Sequence, residues 1–202
     1  MKPVARKPAA VRKREIAEAA MSICGTHGVA ALTTATIAEA IGLSTGAIFR
    51  HFGTLEDVLH EAADLAIQKM DATFPDAELP AIERLFDLAQ ARIELLGNDA
   101  GLAWMLTSDE ARLRLPKDAA AALMTLVDRS KRFLLKAIAD GQRDGTIRDD
   151  IGSSVLFVCV MGTIHTLIGM SGIRGKNKKT TRNVKTRSVL DGLRLMLTNQ
   201  TG

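Results

Sequence analysis

The side chains able to do acid–base, nucleophilic or metal chemistry are few and far apart. The histidines are His27, His51, His60 and His165, and the cysteines are Cys24 and Cys159. Nucleophilic catalysis needs a hydroxyl or thiol beside a base that a third group orients. No Ser/His/Asp or paired-carboxylate pattern at useful spacing is visible, and there is no phosphate-binding Gly loop. The cysteines fit neither a disulfide framework nor a zinc-ligand spacing. They read as small buried hydrophobes in a reducing compartment. The expectation is no catalytic residue, no metal site, no cofactor and no enzyme.

What the sequence does concentrate is positive charge. Lys2, Arg6, Lys7, Arg12, Lys13 and Arg14 stand in the first fourteen residues with no acid among them. Arg174, Lys176, Lys178, Lys179, Arg182, Lys185 and Arg187 form a second run without an acid. The runs carry +13 between them against +4 for the whole chain, which leaves the remainder at −9. Basic ends on an acidic body suggest an anionic partner, nucleic acid first; solvated tails are the plainer reading.

The elements that must position these charges are helices. Aromatic residues make up only 3% of the chain, with no Tyr and one Trp. Strands draw on aromatic and β-branched residues, whereas Ala, Leu and Met favour helix. Residues 11–24 place Ile16, Ala19, Ala20 and Ile23 along one side, and "GTHG" (Gly25–Gly28) ends that run. Thr33 and Thr34 are good caps for a helix to Ile41. Gly42 breaks it, Ser44 caps "TGAIFRHF", and Thr54 caps a longer helix with acids in its first turn. "TFPDAELP" (Thr73–Pro80) is a loop, and helices follow near Ala81–Leu96, Ala100–Leu106, Lys117–Asp140 and Thr186–Leu197. The chain reads as all-α, with a small basic head and a larger helical body.

The segment Ile151–Ile173, "IGSSVLFVCVMGTIHTLIGMSGI", carries no charge and is long enough to span a bilayer. Four Gly, several Ser and Thr, and His165 count against that. A helix that is apolar all round can equally lie in a core or a subunit interface. The N-terminus is charged and holds prolines without an apolar stretch, unlike a signal peptide.

Two short helices separated by Gly42 answer a specific need. A helix-turn-helix crosses its helices steeply, which demands a small residue in the first, φ > 0 at the turn, and apolar residues toward the core. Ala38, Gly42, and Ile37, Ile41, Leu43 and Ile48 meet those demands, leaving the second helix free to enter a major groove. The stretch resembles the N-terminal domain of the tetracycline-repressor (TetR) family of transcriptional regulators. The matching residues are Thr33-Thr34, Ile37-Ala38, Gly42-Leu43-Ser44, Gly46, Ile48-Phe49, His51-Phe52 and Leu59. The likeness covers about residues 10–60; the rest agrees in length and helical content.

The resemblance implies a two-domain homodimer of about nine helices, cytoplasmic and nucleoid-associated. A flexible basic arm (1–9) precedes a helix-turn-helix domain (10–54), a connecting helix (55–72) and an effector-binding and dimerisation domain (73–202). The last two helices form most of the dimer interface. On the recognition helix, Thr45, Gly46, Ala47 and Arg50 stand where family members meet base edges. Arg50 suits a bidentate guanine contact and the Ala47 methyl a thymine methyl. Thr34, Ser44, His51 and Thr54 stand where phosphates are held; capping, exposure or core packing would also explain each. Two departures weaken phosphate binding: Phe49 lacks the hydroxyl of the family's usual Tyr, and Leu55 replaces a usual Lys. Arg12, Lys13 and Arg14 are placed to compensate.

The resemblance also implies a small-molecule pocket in the body, and palindromic double-stranded DNA as partner. Phe86, Trp104, Met105, Met124, Phe133, Cys159 and His165 mix adaptable apolar surface with one polar handle; core or interface packing would also account for them. His165, alone in the apolar segment, needs a hydrogen-bond partner. The expected function is a ligand-responsive repressor without membrane attachment. The alternative is a ligand-independent, nucleoid-associated or structural DNA-binding member of the same family.

Overall fold

The computed structural model describes residues 7–172 and 186–198. These form ten α-helices and one 3-10 turn, with no strand among the described residues. In order they are α1 (Ala9–His27), α2 (Thr34–Ala40), α3 (Thr45–Phe49), α4 (Leu55–Asp71), α5 (Ala81–Asn98), α6 (Ala100–Thr107), α7 (Asp109–Arg114), α8 (Lys117–Arg143), α9 (Ser153–Gly172) and α10 (Thr186–Leu197). The all-α expectation holds, with one helix more than anticipated. The additional helix is α7, too short for a periodic pattern and started by Ser108, whose hydroxyl accepts from the Ala111 N–H at 3.3 Å. The first six residues and most of the basic run Arg174–Arg187 lie outside the described residues.

The chain divides into two compact units, Met1–Lys69 with Asp99–Thr125, and Met70–Asn98 with Leu126–Gly202. The sequence reading drew boundaries at residues 54 and 72; the packing of α6 and α7 adds a second segment to the N-terminal unit.

In the first unit, Ile16, Ala17, Ala20 and Met21 of α1 are fully buried or nearly so, with Ile37 of α2, Ile48 of α3 and Val58, Ala62 and Ala66 of α4. Helix α1 ends within the expected Gly25–Gly28 stretch, at Gly28, whose φ of +79° is open to glycine. Gly25 instead meets α6, where its missing side chain leaves room for the backbone of Ala100 and Gly101. Asp99 caps α6 by accepting from the Leu102 N–H at 2.9 Å, and its other oxygen takes Lys69 Nζ at 2.7 Å. This one carboxylate fixes both the start of α6 and the end of α4.

In the second unit, α5 packs on α9, and α9 on α10. Leu156, Val160, Ile164, Leu167 and Ile168 bury one side of α9. The opposite side, Val155, Val158, Cys159, Gly162, His165 and Thr166, is exposed. No described helix is long and apolar enough to cross a membrane. The loop after α8 turns through Gly145 at φ +79° and folds Ile147 onto Gly141, where no side chain stands in its way. Two arginines are buried here, Arg84 and Arg92. Arg84 meets Asp140 at 2.7 Å.

Candidate nucleic-acid interface

The helix-turn-helix is built by local hydrogen bonds that the sequence encodes. Thr33 caps α2 rather than Thr34: its hydroxyl accepts from the Thr36 N–H at 3.0 Å, while the Thr36 hydroxyl accepts from the Thr33 N–H at 2.9 Å. A reciprocal box of this kind satisfies two N–H groups that the first helical turn would leave orphaned. At the other end the Leu43 N–H reaches back to the Ala38 carbonyl at 2.8 Å and Gly42 to Glu39 at 3.2 Å. This paired closure needs a left-handed residue at its second position, and Gly42 provides it at φ +66°. Two residues on, the Ser44 hydroxyl accepts from Ala47 N–H at 3.3 Å and starts α3. Thr54 and Asp57 repeat the reciprocal box at α4, at 3.0 and 2.9 Å.

This framework sorts the expected recognition residues into two groups. Thr45, Gly46, Phe49 and Arg50 are exposed, and a side chain added at Gly46 would meet nothing within 4 Å. Ala47 is only 8% exposed and packs inward with Ile48. Its methyl, expected to touch a thymine methyl, lies among the core residues of the head in the free chain. Ser44 and Thr54 are exposed at helix starts, Thr34 and His51 half-buried beside them. Phe52 is buried at 5%, and Lys13 Nζ stands 5.2 Å above its ring.

The basic residues of α1 are already engaged. Arg12 pairs with Glu15 at 2.7 Å, Arg14 with Glu18 at 3.1 Å, and Lys7 with Glu15. The Lys7 hydrogen bond, with the charges of Lys7 and Arg12, holds the Glu15 carboxyl below its ordinary range. Lys13 rests over Phe52. The spare cations expected of Arg12, Lys13 and Arg14 are thus partly neutralised at home. Acids one helical turn or less away, Glu15 and Glu18, carried that signal in the sequence.

The residues expected to line an effector pocket fall in both units. Trp104, Met105 and Met124 belong to the first. There Met105 is buried, Trp104 Nε1–H donates to Glu110 at 3.2 Å, and Met124 is 45% exposed. Phe86, Phe133, Cys159 and His165 belong to the second. Arg194 stacks at 4.5 Å over the buried Phe86 ring, and Phe133 meets Phe74 edge-on at 5.3 Å. Cys159 and His165 face outward from α9, so solvent can satisfy the imidazole, and neither is enclosed. Arg92, which the sequence reading passed over, is the more telling residue of this unit. It occupies the apolar side of α5 in step with Leu85, Leu88, Ala89 and Leu96, a position where an arginine is out of place.

Comparison with known proteins agrees with this geometry. Residues 16–62, from α1 into α4, match the model of the bacterial regulatory proteins, tetR family. The HTH-type transcriptional repressor AcnR of Corynebacterium jeikeium (strain K411) is 30% identical over 171 residues, covering 82% of this chain and 86% of the relative. The chain belongs to the TetR family. Its fold is shared with the ketosteroid transcriptional regulator KstR2 of Mycobacterium tuberculosis, at TM-score 0.74, 16% identity and coverage of 94% and 96% of the two chains. AibR, solved in complex with isovaleryl coenzyme A and operator DNA, superposes at TM-score 0.72 with 17% identity over 92% and 97%. The family model and the relative AcnR are both those of bacterial transcriptional regulators. The helix-turn-helix of this TetR-family chain is the region where the family model and the local hydrogen bonding coincide.

Proposed function

We propose that this TetR-family protein is a cytoplasmic homodimer that binds a palindromic operator and represses transcription until a small-molecule effector releases it. The observation that carries the reading is the exposed face of α3, held out by the Gly42 turn and the Ser44 cap. It presents Thr45, Gly46, Phe49 and Arg50 together. Arg50 offers a planar donor fork suited to guanine, and Thr45 a hydroxyl suited to either base edge or phosphate. Thr34, Ser44, His51 and Thr54 position the head on the backbone. Arg14 exchanges its carboxylate for a phosphate at small cost, because an exposed ion pair contributes about 0–1 kcal/mol, whereas the Arg12 pair is half-buried.

Dimerisation is supported by the unpartnered stripe of α9 and by α10. Val155, Val158, Leu195 and Met196 are 55%, 66%, 67% and 63% exposed. Two such helices per protomer suit a four-helix intersubunit bundle. A dimer must set its recognition helices about 34–36 Å apart, or a multiple, to meet successive major grooves. An effector that prefers another spacing lowers affinity by population shift. The relative AcnR is named a repressor, and AibR was solved with both a coenzyme A thioester and operator DNA.

The test is selection of bound sequences from a random duplex pool by the purified full-length protein at two salt concentrations. Recovery of a palindrome is the expected result. Weak binding with no motif and steep salt dependence would sink sequence-specific repression.

A further inference from the structure

A guanidinium buried without a carboxylate is the feature of the second unit that packing does not explain. Arg92 is 5% exposed. Its Nη2–H donates to the Ser130 hydroxyl at 3.2 Å and its Nη1–H to the Met70 sulfur at 2.7 Å, a weak acceptor. Its Nε–H has no hydrogen-bond partner, and no acid lies within ion-pair distance of Arg92 among the described residues. The neighbouring buried arginine, Arg84, also leaves its Nε–H without a partner, but its Nη2 meets the Asp140 carboxylate at 2.7 Å. A buried cation costs several kcal/mol unless it is paired and hydrogen-bonded. Burial draws the Arg92 pKa down to about 10, which still leaves it charged at neutral pH. The charge is kept where it is expensive, with donors left over.

What covers it is removable. The Phe74 ring lies 5.1 Å from the Arg92 guanidinium and 4.9 Å from that of Arg129, which is itself paired to Asp71. Phe133 meets the same ring edge-on. Phe74 belongs to the loop between α4 and α5, whose hydrogen bonds are local turns: Phe74 N–H to Asp71, Thr73 to Met70, Glu78 and Leu79 to Asp76. Among the described residues, the hydrogen bonds of this loop run only within itself and to α4 and α5, the helices it joins. The Phe74 ring lays it against Arg92 and Arg129.

We propose that Arg92 and Ser130 form an oxyanion-binding site beneath Phe74, taking a carboxylate or phosphate borne on an apolar small molecule. The site rests on the effector-responsive reading above and gives the effector its chemical class. Arg92 supplies a charge-assisted fork, Ser130 a hydroxyl donor, and Phe74 with Phe133 the apolar wall against the ligand body.

The test is thermal unfolding of the full-length protein with hexanoate, hexyl phosphate and hexanol at matched ionic strength. One or both anions raise the wild-type midpoint by a few degrees in a concentration-dependent way, and hexanol does not. Which anion acts distinguishes a carboxylate from a phosphate ligand. Arg92→Met abolishes the shift while its own midpoint stays level or rises, because a lone buried charge has been removed. If Arg92→Met fails to fold, Arg92→Lys keeps the charge but loses the fork, and its response weakens about tenfold. No anion response in the wild type, an equal response to hexanol, or an undiminished response in either variant overturns the site. The same anions are added to the protein on its selected DNA. Binding through Arg92 that leaves the DNA bound retains the site and removes the effector-release reading instead.

Discussion

Gly25 of α1 and Gly101 of α6 face each other so closely that a side-chain carbon on Gly25 would fall 2.5 Å from the Gly101 nitrogen. A carbon on Gly101 would in turn stand 2.5 Å from the carbonyl of Met21, about one turn earlier on α1. The helix carrying the head and a helix of the 99–125 segment therefore meet backbone to backbone. In an isolated helix Ala is better than Gly by about 1 kcal/mol. Here overpacking against an unyielding backbone, about 1–3 kcal/mol, wins. Gly25→Ala and Gly101→Ala each lower the unfolding midpoint, by up to roughly 8 °C at about 2–4 °C per kcal/mol. The double variant costs less than the sum, since one separation of α1 from α6 relieves both. Additive losses, or none, would refute the crossing.

The recognition helix separates readout from packing. Arg50→Ala is expected to weaken operator binding by about 1–3 kcal/mol and to relax preference at one base position. Ala47→Leu instead overpacks the head and lowers its melting point without redirecting specificity. Phe49→Tyr returns a hydroxyl to an exposed ring and strengthens binding to all sequences alike. Binding titrations on matched and mismatched duplexes distinguish these outcomes.

Charge on the outer stripe of α9 and on α10 tests the assembly. Val158→Glu with Leu195→Glu places like charges against one another across a twofold axis and gives a monomer in sedimentation analysis. Its operator affinity falls steeply, because two half-sites are no longer bound together. Both positions are exposed in the single chain, so its melting of secondary structure retains a folded signature.

Asp140 gives the protein an acid-sensitive joint. Hydrogen bonds from Lys136, Arg84 and Arg143 hold its carboxyl well below the usual Asp range. A depressed folded pKa contributes stability above the unfolded value, about pH 4, and loses it as pH falls through the folded value. Asp140→Asn therefore melts below wild type at neutral pH, and the gap narrows as pH is lowered beneath about 4. A gap constant from pH 7 to pH 2 would show that Asp140 contributes nothing by its charge. Leaving Arg84 buried and unpaired adds to the neutral-pH loss.

The two-helix head was legible because its determinants are local. A hydroxyl three residues from the N–H it caps, and a glycine at the left-handed position, act within a few residues of themselves. Ser44, Thr54 and Gly42 are found where spacing put them. Where two residues could each serve, local spacing left the choice open: Thr33 rather than Thr34 caps α2, and Gly28 rather than Gly25 ends α1.

By itself the sequence determined the helical class, the turn at Gly42, the caps and the family, since short-range hydrogen bonding and hydrophobic period are written in consecutive residues. Only the tertiary structure decided what each side chain meets. It turned Ala47 inward and His165 outward, set Gly25 against Gly101, and matched Arg84 with Asp140 across 56 residues. It also left Arg92 buried without an acid. The physical reason is common to all of these: solvation and pairing depend on which distant segment arrives. A charge that costs little on the surface becomes decisive once another helix closes over it.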